Sequence, residues 1–165
     1  MQKSTKPLPP IESVKSVLSY DAASGLLHWI NSTGKAKAGS VAGCEAKGYI
    51  LIGVAGRLLK AHRLAWLLHY GSDPANDIDH INGVRSDNRI ANLREANQSQ
   101  NMHNRRADKD NSSGIKGVCW NKWKGKWMAY VNGKHYGYFL TKEEAGAAAR
   151  SARELLHGQF ACHRV

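Results

Sequence analysis

The spacing of apolar and polar positions changes several times along this chain, and each change marks an element. Residues 17–30, VLSYDAASGLLHWI, read as two short strands around a turn containing Asp21, Ser24 and Gly25. Between Gly39 and Lys60, glycines recur at 43, 48, 53 and 56 among β-prone runs such as YILIGV, which predicts a small twisted β-region. The period then becomes helical: Leu64, Leu67 and Leu68 share a face in RLLKAHRLAWLLHYG, and Gly71 is the expected stop. DIDHI and NLREA are short enough to be strands flanking NGVRSDNR, which carries turn chemistry. Asn97 and Gln100 have capping-box spacing, so a helix is expected from Gln98 through Arg105. Three further β-prone runs follow Gly114, separated by the turn signals Lys124–Gly125 and Asn132–Gly133. The last helix has clear ends, a Thr141/Glu144 capping box and a stop at Gly158. Its apolar stripe is Ala145, Ala148, Ala149, Ala152, Leu155 and Leu156, small enough to lie close on a sheet.

Composition narrows the function classes. Lys and Arg number 24 against 13 Asp and Glu, giving +11 and a pI near 9.8. Such an excess suits a polyanionic partner, nucleic acid ahead of an anionic membrane surface. No apolar run approaches a membrane span. The opening MQKSTKPLPP has no apolar core after its charges, so it is expected to be a frayed arm and not a secretory signal. Cys44, Cys119 and Cys162 are isolated, which argues against a disulfide framework and against a structural zinc site.

The stretch DIDHINGVRSDNRIANLREANQSQN holds five Asn and, near its start, the Asp79–His80 pair. Asn is poor in regular structure because its amide competes for backbone hydrogen bonds. Such a stretch is therefore a turn-rich loop or a polar site. A carboxylate and an amide oxygen are hard donors suited to Mg²⁺ or Mn²⁺, and a neutral imidazole beside them can take a proton from water. These are the parts of a phosphodiester-cleaving site. Asp–His pairs are common, however, and a loop Asp more often caps a turn, so composition alone leaves both readings open.

HRLAWLLHYG followed by DIDHINGVRSDNRIANLREANQSQN resembles the HNH homing-endonuclease family, of the phage and group I intron type. The resemblance implies a ββα-metal fold around one divalent ion. It implies Asp79 as first metal ligand, His80 as general base, Asn92 as the amide that braces the loop and positions His80, and Asn101 as second metal ligand. In a regular strand Asp79 and His80 point to opposite faces, so the strand is expected to end or bulge there, or the phosphate to lie across its edge. His62 is read as structural or as an active-site neighbour; His28, His69 and His157 as structural or exposed. Arg63, Arg85, Arg89, Arg94 and Arg105 are candidate phosphate contacts.

From Arg105 to Lys134, eight basic residues alternate with Trp120, Trp123, Trp127 and Tyr130. Trp127 is expected in the core, whereas Trp120 and Trp123, with Lys116, Lys122, Lys124, Lys126 and Lys134, are candidates for facing nucleic acid. The stretch from GIKGVCW to HGQFA resembles the plant ethylene-response-factor (Apetala-two-type) DNA-binding domain. That resemblance implies a three-stranded antiparallel sheet, packed on one helix, entering the DNA major groove. Lysines where base-reading members often carry arginine imply loose sequence selectivity.

The expectation is therefore an α+β chain: a flexible arm over 1–13, a β-region and nuclease domain over 14–104, a linker over 105–114, and a DNA-binding domain over 115–162. The function expected is metal-dependent cleavage of double-stranded DNA in a phage or bacterial host cytoplasm, with Mg²⁺ replaceable by Mn²⁺. The protein would be a monomer or homodimer with no membrane association. A non-catalytic DNA-binding regulator is the rival, and an RNA-binding module fits the charge but leaves the carboxylate unexplained.

Overall fold

The computed structural model describes residues 6–104 and 110–163. Helix and strand are mixed, and the chain divides into two compact units, the first ending at Asn97 and the second beginning at Gln98.

The first unit begins with a short helix, α1 (Ile11–Lys15). From sequence no element is expected there, only a flexible arm through residue 13. Instead Leu8 and Ile11 pack on the core and Val14 is fully buried. Five residues following two prolines are too few to show a helical period. Strands β1 (Leu18–Tyr20) and β2 (Leu27–Trp29) form an antiparallel hairpin. A three-stranded antiparallel sheet follows: β3 (Cys44–Ala46), β4 (Tyr49–Val54) and β5 (Arg57–Lys60). Its two turns, Lys47–Gly48 and Ala55–Gly56, have positive φ at both positions, the geometry that matches strand twist across a two-residue loop. Helix α2 (Ala61–Tyr70) buries Leu64, Ala65 and Leu67 and ends at Gly71 with φ 80°, where only glycine is unstrained. Residues from all these elements but β3 form one core, with Leu18, Leu27, Ile52 and Leu64, which Ile78 joins from further along the chain. The second hairpin, β6 (Asp77–His80) and β7 (Leu93–Ala96), follows, with a 3-10 turn at Ile90–Asn92 leading into β7.

The second unit opens with α3 (Gln98–His103). Arg105 and the first half of the expected linker, through residue 109, lie outside the described residues, as does the start of the N-terminal arm, residues 1–5. Strands β8 (Val118–Asn121), β9 (Lys126–Val131) and β10 (Lys134–Phe139) make an antiparallel sheet with β9 central. Helix α4 (Lys142–His157) packs on it, with both halves of the Thr141/Glu144 capping box formed. Ala145, Ala149 and Ala152 are buried against Val118, Ala129 and Val131. Gly146 lies so close to Ile115, in the segment ahead of β8, that an added Cβ would approach it to 3.2 Å.

Candidate active site

The β6–β7 register sets the site. Asp79 lies opposite Arg94, and His80 opposite Leu93, without a bulge. Successive side chains therefore leave on opposite faces. The strand ends at His80, where the Gly83 amide donates to the His80 carbonyl and turns the chain.

On one face the Asp79 carboxylate accepts from Arg94 Nε at 2.9 Å and Nη2 at 2.8 Å, both on Oδ2. Both side chains are largely shielded from water, 11% and 13% exposed. On the other face the His80 ring is buried. It lies 5.0 Å from the His62 ring, edge to face, and 6.3 Å from Tyr49. Its Nε2 is 3.2 Å from Asn88 Oδ1. Burial pulls the His80 pKa below the ordinary histidine value, while the Asn88 hydrogen bond and the Asp79 and Asp87 charges pull it back up. His62, at the start of α2, is buried as well. Burial lowers its pKa to about 3, with further lowering from His80, Lys60 and Arg63.

The amides lace the loop between the strands. Asn92 is buried; its Oδ1 accepts from the Asn82 amide at 2.9 Å and its Nδ2 donates to the Asp87 carbonyl at 2.8 Å. Asn82 Oδ1 accepts from the Val84 amide, and its Nδ2 donates to Asp87. Arg89 donates to Asp87 through Nε and Nη2, and with burial opposing, these bonds hold the Asp87 carboxyl down at about 2. An asparagine-rich stretch is thus tolerated because these amides replace backbone hydrogen bonds that a loop cannot make with itself.

The arginines singled out from sequence have differing environments. Arg63 pairs with Asp73 at 2.6 Å, Arg89 with Asp87, and Arg94 with Asp79. Arg85 lies over the Tyr49 ring, 4.9 Å from its centroid, and Lys60 lies over the same ring at 4.5 Å. Two cations thus share one aromatic ring beside His62 and His80. In the second unit, Asn101 is on α3, half-buried. Lys116 is half-buried and its Nζ donates to the His103 carbonyl, so its charge is turned to the α3 terminus. Trp123 is 98% exposed at the β8–β9 turn, with Lys122 and Lys124 on either side of it. Trp120 stands edge-on to the half-buried Trp127, and Lys126 and Lys134 are exposed. Sequence reasoning did not single out Asn88, Tyr49 or Lys60; their places follow from contacts among three separate elements and leave no local pattern.

Among the described residues, no group of three or more His, Cys, Asp or Glu is arranged to hold a metal ion. The Asp79 carboxylate carries a positive group, the Arg94 guanidinium. At this site a buried imidazole at a strand end lies beside a charge-compensated carboxylate and over an amide-laced loop. Residues 59–103 match the HNH endonuclease family. Protein 3.8 of Escherichia phage T7 is 37% identical over 91 residues, an overlap covering 53% of this chain and 74% of that protein. The chain belongs to the HNH endonuclease family. No solved structure matches it significantly.

Proposed function

We propose that this protein is a divalent-metal-dependent DNA endonuclease of the homing type, built on a ββα-metal core. The observation that carries the reading is the His80 imidazole at the end of β6, kept neutral by burial and held by an amide at one ring nitrogen. A base in that state takes a proton from water without first having to lose one. In this reading Asp79 and Asn101 hold the ion, which supplies charge stabilisation at the phosphate oxygens. Asn92 fixes the loop so that His80 stays in register. Arg63, Arg85, Arg89, Arg94 and Arg105 are phosphate contacts. The β8–β10 sheet, with Lys116, Trp120, Lys122, Trp123, Lys124, Lys126 and Lys134, supplies affinity for double-stranded DNA in the manner of an Apetala-two-type domain. Mg²⁺ is the proposed ion, with Mn²⁺ able to replace it.

One observation favours the non-catalytic rival, the occupation of Asp79 by Arg94, because a carboxylate kept as an ion pair needs no metal. Supercoiled plasmid incubated with Mg²⁺, Mn²⁺ or EDTA separates the two. Metal-dependent nicking by the wild type, lost in His80→Ala, is the expected result. Equal conversion by both proteins removes His80 from the mechanism, and binding without conversion in any metal supports the rival.

A further inference from the structure

We propose that Asn88 is the positioning residue for His80, fixing which ring nitrogen carries the proton, and that the β1–β2 hairpin in turn holds Asn88. The inference rests on the nuclease reading only for its kinetic consequence; the arrangement itself is testable without catalysis.

Asn88 and His80 are each only 4% exposed. The Asn88 Nδ2 donates to the Ser86 carbonyl at 3.3 Å. A carbonyl only accepts, so exchanging the amide's oxygen and nitrogen would set two oxygens against each other. That fixes Oδ1 toward the imidazole, 3.2 Å from Nε2. Because Oδ1 also only accepts, Nε2 is the nitrogen that bears hydrogen in the neutral ring, and Nδ1 is the nitrogen with the lone pair. A second group that fixes a histidine's tautomer governs which atom takes the proton from water.

The backbone of Asn88 is gripped from the N-terminal hairpin. The Tyr20 hydroxyl donates to the Asn88 carbonyl at 2.8 Å, and burial pushes the Tyr20 pKa up to about 12, so it remains a donor. The Ile90 amide donates to the Ala22 carbonyl at 3.2 Å. Gly25, with φ 77°, lies against the same peptide so closely that a Cβ would overlap the Asn88 carbonyl carbon and the Arg89 nitrogen. The loop around residue 88 is thus clamped by a hairpin whose Tyr20 lies 68 residues earlier in the chain. The N-terminal β-region acquires a purpose from this contact, since it sets the angle from which Asn88 meets the ring.

The test begins with histidine-ring nitrogen–proton correlation spectra of the full chain, free of metal and DNA, at mildly alkaline pH. The wild type is expected to show His80 as the Nε2–H tautomer. Asn88→Ala is expected to mix the tautomers and to lower kcat by ~10–100-fold, the usual cost of losing such a second partner, with KM within about twofold. Asn88→Asp, which keeps an acceptor oxygen toward Nε2 but loses the donor to the Ser86 carbonyl, is expected to restore the Nε2–H tautomer. Tyr20→Phe, which removes one hydroxyl, is expected to mix the tautomers part-way. An Nδ1–H tautomer in the wild type overturns the proposal even if no variant folds. A fall in kcat for Asn88→Ala with an unchanged tautomer overturns it too, since Asn88 would then only support the loop. An unchanged spectrum in Tyr20→Phe overturns the part assigned to the β1–β2 hairpin. If the wild type shows the expected tautomer but cuts no DNA, the nuclease reading fails and the positioning role stands.

Discussion

His62 shows how one buried side chain couples folding to acidity. Its folded pKa, about 3, is far below the ordinary 6.5 that it regains on unfolding. Between those values the unfolded chain binds a proton that the folded chain does not, so stability rises with pH, by about 1.4 kcal/mol per unit. The contribution is complete above about 6.5 and is lost as pH falls toward 3. His62→Phe removes the titrating group while keeping a ring, and urea midpoints over this range are expected to show a shallower acid decline than the wild type. A parallel decline in both proteins would refute the assignment. Asn92 acts on stability by a different route. Truncation to Ala leaves the Asn82 amide and the Asp87 carbonyl without their partner, and the expected loss is about 2 kcal/mol by denaturant titration.

At the scale of elements, the best-defined unit is α4. Its cap is a single hydroxyl accepting from the Glu144 amide at 3.3 Å, with Glu144 reaching back to the Thr141 amide. Thr141→Ala is expected to cost about 1 kcal/mol, read from the melting of the second unit; no change would show the helix to be held by packing alone. Elements of this kind were legible because capping and helical period are local. Thr141, Glu144 and Gly158 mark both ends of α4, and Gly71 ends α2, from a few residues of context each. The strands around the Asn132–Gly133 turn were legible for the same reason. Lys47–Gly48 and Ala55–Gly56 were harder, since Lys and Ala rarely mark a turn that demands positive φ. The candidate site was legible only in part. The sequence presents Asp79, His80 and the amides, but the Asp79–Arg94 pairing depends on strand register, and His80 meets His62 and Tyr49 through an α-helix and a separate sheet. Spacing along the chain carries no trace of such meetings.

Across the whole molecule, the positive charge is spread over both units. Lys60 and Arg85 share Tyr49 in the first, while Lys122, Lys124 and Lys126 surround the β8–β9 turn in the second, with Lys124 4.0 Å from the Tyr138 ring centroid. Each contact with a DNA phosphate adds about one to the slope of log affinity against log salt. Changing Lys122, Lys124 and Lys126 to Ala together is therefore expected to flatten that slope by about two to three, measured in EDTA so that cleavage does not interfere. A slope equal to that of the wild type would move the DNA-binding face elsewhere. The two hydrophobic clusters share no residue, and each belongs to its own unit. Separate cores of this kind favour unfolding in more than one step.

Trp123 offers a practical consequence. Of the five tryptophans it is the one left almost wholly in water, at the tip of the β8–β9 turn. Its emission should be red-shifted and readily dimmed by a dissolved quencher, and a nucleotide stacking on the indole would shield it. The protein thus carries a built-in optical reporter at the place where its second unit is proposed to meet DNA.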